Sequence, residues 1–106
     1  MSRVDLQRTA PAQLTAEVRL YETADGGRES AMQPGWTGPV MTDTTTRPMI
    51  GWDALPLLRD QPLHPGETRT LGFVFLSGEP AVQALREAGI FYLWEGRFIG
   101  EGRVVD

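Results

Sequence analysis

Between Leu14 and Thr23 the chain alternates with a period of two: Leu14, Ala16, Val18 and Leu20 are apolar, and Thr15, Glu17, Arg19 and Tyr21 lie between them. Successive strand side chains point to opposite faces, so this pattern predicts a β-strand with one buried side. A second run, TRTLGFVFL over 68–76, places Leu71, Phe73 and Phe75 on one face and Val74 and Leu76 on the other. With apolar residues on both faces, it is expected to be a central strand covered on both sides, as in a closed barrel. A strand with an apolar face cannot stand alone in water, so the chain must supply further strands to bury these two.

Twelve Gly and eight Pro cut the 106 residues into short segments, as a turn-rich β protein requires, and an all-helical fold fits poorly. ADGGRES, residues 24–30, reverses the chain because Asp-Gly-Gly tolerates positive φ. Residues 31–39 hold Pro34, Gly35, Trp36, Gly38 and Pro39 and predict an irregular loop. From Val40 the Thr-rich run through Thr46 favours extended chain until Pro48, and Met49 to Trp52 form a further brief strand. Asp53 to Leu58 is expected as a helical turn with Asp53 at its N-cap. His64-Pro65-Gly66-Glu67 is a turn. Glu79-Pro80 opens a two-turn helix over 81–88 that stops at Gly89, since proline suits the first helical position and glycine the position past the end. Two last strands, Ile90–Glu95 and Arg97–Val105, flank Gly96. The count is six strands and one short helix. Residues 1–12 are polar, end in Ala-Pro, and predict a flexible N-terminal arm; residues 13–106 form a single β-barrel domain.

The absence of Cys excludes disulfides, thiolate nucleophiles and Cys-ligated metal. His64 is the only histidine and reads as an exposed turn residue, and no carboxylate cluster has metal-ligand spacing, so neither metal nor cofactor is expected. A weaker enzymatic reading pairs His64 with Asp60. Ser2, Ser30 and Ser77 stand in no nucleophile-elbow pattern, and Gly100-Glu101-Gly102 lacks the strand–turn–helix setting of a dinucleotide fingerprint. No secretory signal core and no run of about eighteen apolar residues occurs, which predicts a cytoplasmic protein that does not enter membranes. The net charge of −4, from ten Arg, no Lys and fourteen acids, is a poor starting point for gripping phosphates. Trp94 is expected in the core. Trp36, in Pro-Gly-Trp-Thr-Gly-Pro, is the better aromatic candidate for an interface, with packing over a barrel end as its alternative.

Three stretches together resemble the C-terminal domain of bacterial elongation factor Tu. Ala16-Glu17-Val18 followed by Asp25-Gly26-Gly27-Arg28 is similar to that family's first strand and its acidic Gly-Gly-Arg loop. Pro65-Gly66-Glu67 matches its Pro-Gly-Asp/Glu turn before a hydrophobic strand, and Glu95-Gly96-Arg97-Phe98-Ile99-Gly100-Glu101-Gly102 resembles its Gly-rich ending with one Gly missing. The resemblance spans residues 13–106, although 31–63 match poorly. It implies a closed six-stranded antiparallel barrel without catalytic machinery. No G-x-x-x-x-G-K-[ST] occurs, so GTP hydrolysis is not expected of this chain. In that family the loop after the first strand and the Gly-rich ending contribute to a tRNA-contacting surface. Asp25, Gly26, Gly27, Arg28 and Arg97 are the matching positions, joined by Trp36 as the partner-binding candidates.

Two functions follow as expectations. The first is a non-enzymatic module that presents these loops to another protein, since barrels carry specificity on their loops. The second is a translation-related accessory that keeps the tRNA surface through Arg28, Arg97 and Arg103, with salt-dependent RNA binding as its mark. Glu22, Asp25, Glu29, Glu95 and Glu101 beside those arginines oppose phosphate.

Overall fold

The alternating segment becomes strand β1 (Leu14–Leu20), with Leu14, Ala16, Val18 and Leu20 all at 0% exposure. It is followed by β2 (Gly38–Met41), β3 (Trp52–Leu57), β4 (Thr68–Phe75), β5 (Ile90–Trp94) and β6 (Phe98–Val104); helix α1 (Arg3–Thr9) precedes β1, and α2 (Glu79–Ala88) lies between β4 and β5. The computed structural model describes residues 2–45 and 51–106. The strands pair in the order β1-β4-β3-β2-β5-β6 and close into a barrel, every pair antiparallel. β2, β3 and β4 form a meander and β1 returns beside β4, a Greek-key connection. Closure leaves these strands no free edge on which another chain could add.

Burial alternates along β1, β4 and β5. Phe73 is the centre of the core, with Phe91 edge-on at 5.4 Å between ring centroids and Phe75 at 6.0 Å. Such aromatic pairs add roughly 0.5–1.5 kcal/mol beyond the area they bury. The Phe91 ring lies directly over β6 at Gly102, where a Cβ would come within 2.4 Å of its Cζ, so only glycine lets the ring occupy that site. On the outer face of β1 and β6, charges stand opposite one another: Glu17 faces Arg103 and Arg19 faces Glu101, with ion-pair distances of 3.0 and 2.8 Å.

α2 forms where its caps predict, with Pro80 in its first turn and Gly89 left-handed at φ 79°, its N–H donating to Leu85 O across 2.8 Å. It runs ten residues, longer than two turns, and buries Ala81, Val82 and Leu85.

Several expectations are corrected. Residues 3–9 are helical rather than a flexible arm. Ser2 caps α1 by accepting from Asp5 N at 3.2 Å. Gln7, fully buried, ties the helix to the loop after β3: its Oε1 accepts from Arg59 N (2.7 Å) and its Nε2 donates to Asp60 (3.1 Å). Arg59 and Asp60 reach these positions with left-handed φ of 53° and 67°, conformations that non-glycine residues hold only when neighbours fix them. Asp53–Leu58 is not a helical turn, because β3 occupies Trp52–Leu57. Ala54 through Leu57 are buried consecutively, one side facing the core and the other lying under α1, so the period of two never shows. β2 starts at Gly38 and ends at Met41, earlier than the Val40–Thr46 run. Thr46, Pro48 and the Met49–Ile50 part of the expected brief strand lie outside the described residues; Trp52 opens β3. Leu76 is not covered but 84% exposed. Trp94 is outside the core as well: Phe91 and Leu93 turn inward, while Tyr92 and Trp94 pack edge-on against Phe98 at 6.0 and 4.9 Å.

Candidate partner-binding loops

Asp25 ends a short 3-10 turn (Thr23–Asp25) that opens the loop after β1, and Gly26 follows with a left-handed φ of 92°. Gly27 is then buried against the chain entering the loop: a Cβ here would sit 2.1 Å from the carbonyl oxygen of Tyr21. Its N–H donates to Glu22 O at 3.0 Å, and Thr23 Oγ1 donates to Arg28 O at 2.6 Å, closing the loop on itself. The Asp-Gly-Gly-Arg order thus has a local steric reason, independent of any partner.

The loop after β1 and the β5–β6 hairpin meet at one end of the barrel. Arg97 Nε donates to Gly26 O (2.8 Å) and its terminal nitrogen to Gly27 O (2.9 Å). Arg28 pairs with the Glu95 carboxylate at 2.9 Å and also donates to Ser30 O and Ala31 O. The third segment arrives through Trp36, whose Nε1 donates to Glu95 Oε2 at 2.6 Å. Its ring packs on Gly38 and against the core. The structure therefore brings together Gly26, Gly27, Arg28, Trp36 and Arg97, with Asp25 exposed on the rim. Glu95 is the residue that sequence reasoning missed: it accepts from two segments 67 and 59 positions away, a contact no local pattern announces.

The electrostatics of this end follow from those contacts. Arg28 and Arg97, the arginines expected to reach phosphate, are both bonded to protein acceptors, and Arg28 is only 16% exposed at its side chain. Arg103, the third, pairs with Glu17. Glu22, Asp25 and Glu29 on the same loop have no guanidinium partner among the described residues, so the exposed charge here is negative. Nearby, burial raises the Tyr21 hydroxyl above its ordinary pKa of 10.0; the Glu101 carboxylate adds to this and the Arg19 guanidinium, 5.0 Å from the ring centroid, opposes it.

His64 stands exposed in its turn, and the Asp60 carboxylate is taken by Gln7 and Arg8. Among the described residues no group of three His, Cys, Asp or Glu is placed to hold a metal ion, and no helix is long and apolar enough to cross a membrane. The chain matches no protein-family model and no curated protein sequence.

Proposed function

We propose that this barrel is a non-enzymatic protein-interaction module of the elongation factor Tu C-terminal type, working in the cytoplasm and presenting the loop end built by Asp25–Arg28, Trp36 and Arg97. The observation that carries the reading is the internal use of arginine. Of the positions that would grip phosphate, Arg28 and Arg97 are closed on Glu95 and on the Gly26 and Gly27 carbonyls, whereas Asp25 and its neighbours Glu22 and Glu29 are left outward. A nucleic acid draws most of its affinity from neutralised phosphates, and this end offers carboxylates instead. A half-buried indole anchored in a polar loop suits a protein surface better.

The test is affinity capture from the native cell lysate, with and without ribonuclease, at about 50 and 200 mM salt. A protein partner retained after ribonuclease treatment is expected. Retention of tRNA that disappears with ribonuclease and with added salt would replace this reading by the translation-accessory one.

A further inference from the structure

The outer surface of β2, β3 and β4 differs from the rest of the barrel. On β1 and β6 each outward charge has its cross-strand counter-charge, and the groove of about 330 Å³ between Glu17, Arg19, Glu101 and Arg103 is an ion-pair lattice with Ile90 at its side. On β2–β3–β4 the outward positions are Pro39, Leu55 and Val74, and α1 covers only part of this face. The remainder is an apolar groove of about 670 Å³, walled by Leu6 of α1 and by Leu76. That volume lies within the roughly 300–1,000 Å³ of sites that enclose ligands or anchoring side chains.

One charge interrupts the groove. Asp53 stands beside Pro39 in the β2–β3 register, and its carbonyl accepts from Leu76 N at 3.0 Å, so its carboxylate is flanked by two apolar residues. It is exposed, and among the described residues its carboxylate has no hydrogen-bond or ion-pair partner. Of the arginine side chains the structure describes, Arg8, Arg19, Arg28, Arg69, Arg86 and Arg103 are in ion pairs with other carboxylates, and Arg59 and Arg97 donate to backbone carbonyls. Thr37 to Pro39 line the groove immediately after Trp36, so it continues from the candidate loops onto the barrel wall.

We infer that this groove docks a peptide segment of a partner protein that presents an apolar side chain next to a lysine or arginine, the apolar group seated between Leu55, Val74 and Leu76 and the cation on Asp53. Apolar contact supplies affinity and the lone carboxylate supplies sign selectivity. The inference rests on the interaction-module reading and deepens it.

The experiment pans a displayed library of random twelve-residue peptides against the full chain, then titrates the selected peptides while recording amide NMR shifts. The expected result is enrichment of apolar-plus-basic peptides that shift Asp53, Val74 and Leu76. Leu76 and Asp53 are exposed and outside the core, so their variants fold. Leu76→Ala and Asp53→Asn should each weaken binding about tenfold, and Asp53→Lys should turn selection toward acidic peptides. No enrichment, or charge-indifferent peptides, would overturn the groove assignment. Peptides that shift the Gly26–Gly27 and Trp36 amides instead would refute the groove while leaving the module reading in place. A concentration-dependent dimer abolished by Leu76→Asp would identify the occupant as a second copy and refute a foreign peptide. Binding of tRNA alone by the same chain would remove both readings.

Discussion

Trp36 donates its indole N–H to Glu95 across 2.6 Å, joining two loops separated by 59 positions in the chain. The same carboxylate holds Arg28, whose side chain is only 16% exposed, so removing it strands two donors at once. Glu95→Ala is expected to cost about 1–2 kcal/mol in urea unfolding, the scale of hydrogen bonds to charged groups reduced by the exposure of this carboxylate. Glu95→Gln keeps an acceptor for the indole and should cost less. A double-mutant cycle with Arg28→Ala should show a loss well short of additive, and full additivity would mean that the pair is not coupled.

Phe73 and Leu76 lie three residues apart at the end of one apolar run and have opposite fates. Phe73 is at 0% exposure and touches Phe75 and Phe91, whereas Leu76 is 84% exposed. Phe73→Ala should destabilise by about 3–5 kcal/mol through lost transfer energy and the cavity left behind. Leu76→Ala should change stability by less than about 0.5 kcal/mol. Equal losses from the two would mean that the face assignment of β4 is wrong.

How much of this was legible depends on which physics leaves a local trace. β1 shows its period because one face meets solvent, and α2 shows its ends because Pro80 and Gly89 are conformational stops. β3 shows nothing of the kind: Ala54 to Leu57 are buried on both sides, and Pro56 within them reads as a breaker, although it pairs in register with Phe73. α1 is missed because a polar residue, Gln7, carries its docking, and the partners at Arg59 and Asp60 are more than fifty positions away. Its one local trace is Ser2 three residues before Asp5, a capping pattern. The candidate loop residues were found in pieces, but Glu95 as their common acceptor is a product of barrel closure.

Glu67 titrates below its ordinary pKa of 4.5, first because the backbone N–H of His64 donates to its carboxylate at 3.0 Å and then because Arg69 does so at 2.8 Å. A carboxylate whose pKa is depressed by folding contributes stability above its unfolded pKa and loses it as pH falls through the folded value. The Pro65-Gly66 turn should therefore weaken below about pH 4.5. Glu67→Gln is expected to flatten this acid limb in thermal melts between about pH 5 and 3. An unchanged acid slope would assign the limb to other carboxylates.

Gly27 cannot take a side chain without displacing backbone, since its Cβ would lie 2.1 Å from the Tyr21 carbonyl oxygen and 2.8 Å from that of Glu22. Gly27→Ala should cost about 1–3 kcal/mol and shift the Gly26 and Gly27 carbonyls off the Arg97 guanidinium. Gly26→Ala meets no neighbour and carries only the penalty of a left-handed φ, about 1–2 kcal/mol. Hydrogen exchange at Gly27 N–H, now bonded to Glu22 O, should rise sharply in the first variant and little in the second. Similar exchange in both would make the loop's fold insensitive to that close approach.

Gln7 is the polar residue through which α1 is held, and each of its side-chain atoms has one partner, Arg59 N on Oε1 and Asp60 on Nε2. Gln7→Ala removes both at once, leaves the part-buried Arg59 N–H without its acceptor and empties the buried site of the Gln7 side chain, at a cost of about 1–2 kcal/mol. The two left-handed residues at 59 and 60 lose the contact that fixes them, so the helix and this turn should loosen together while the barrel stays closed. Arg8, bonded to the same Asp60, is half exposed at its side chain, and Arg8→Ala should leave stability nearly unchanged. Limited proteolysis distinguishes these outcomes: cleavage within residues 3–12 should accelerate in Gln7→Ala and not in Arg8→Ala. If both variants were cut at the wild-type rate, Gln7 would not be the tether of α1.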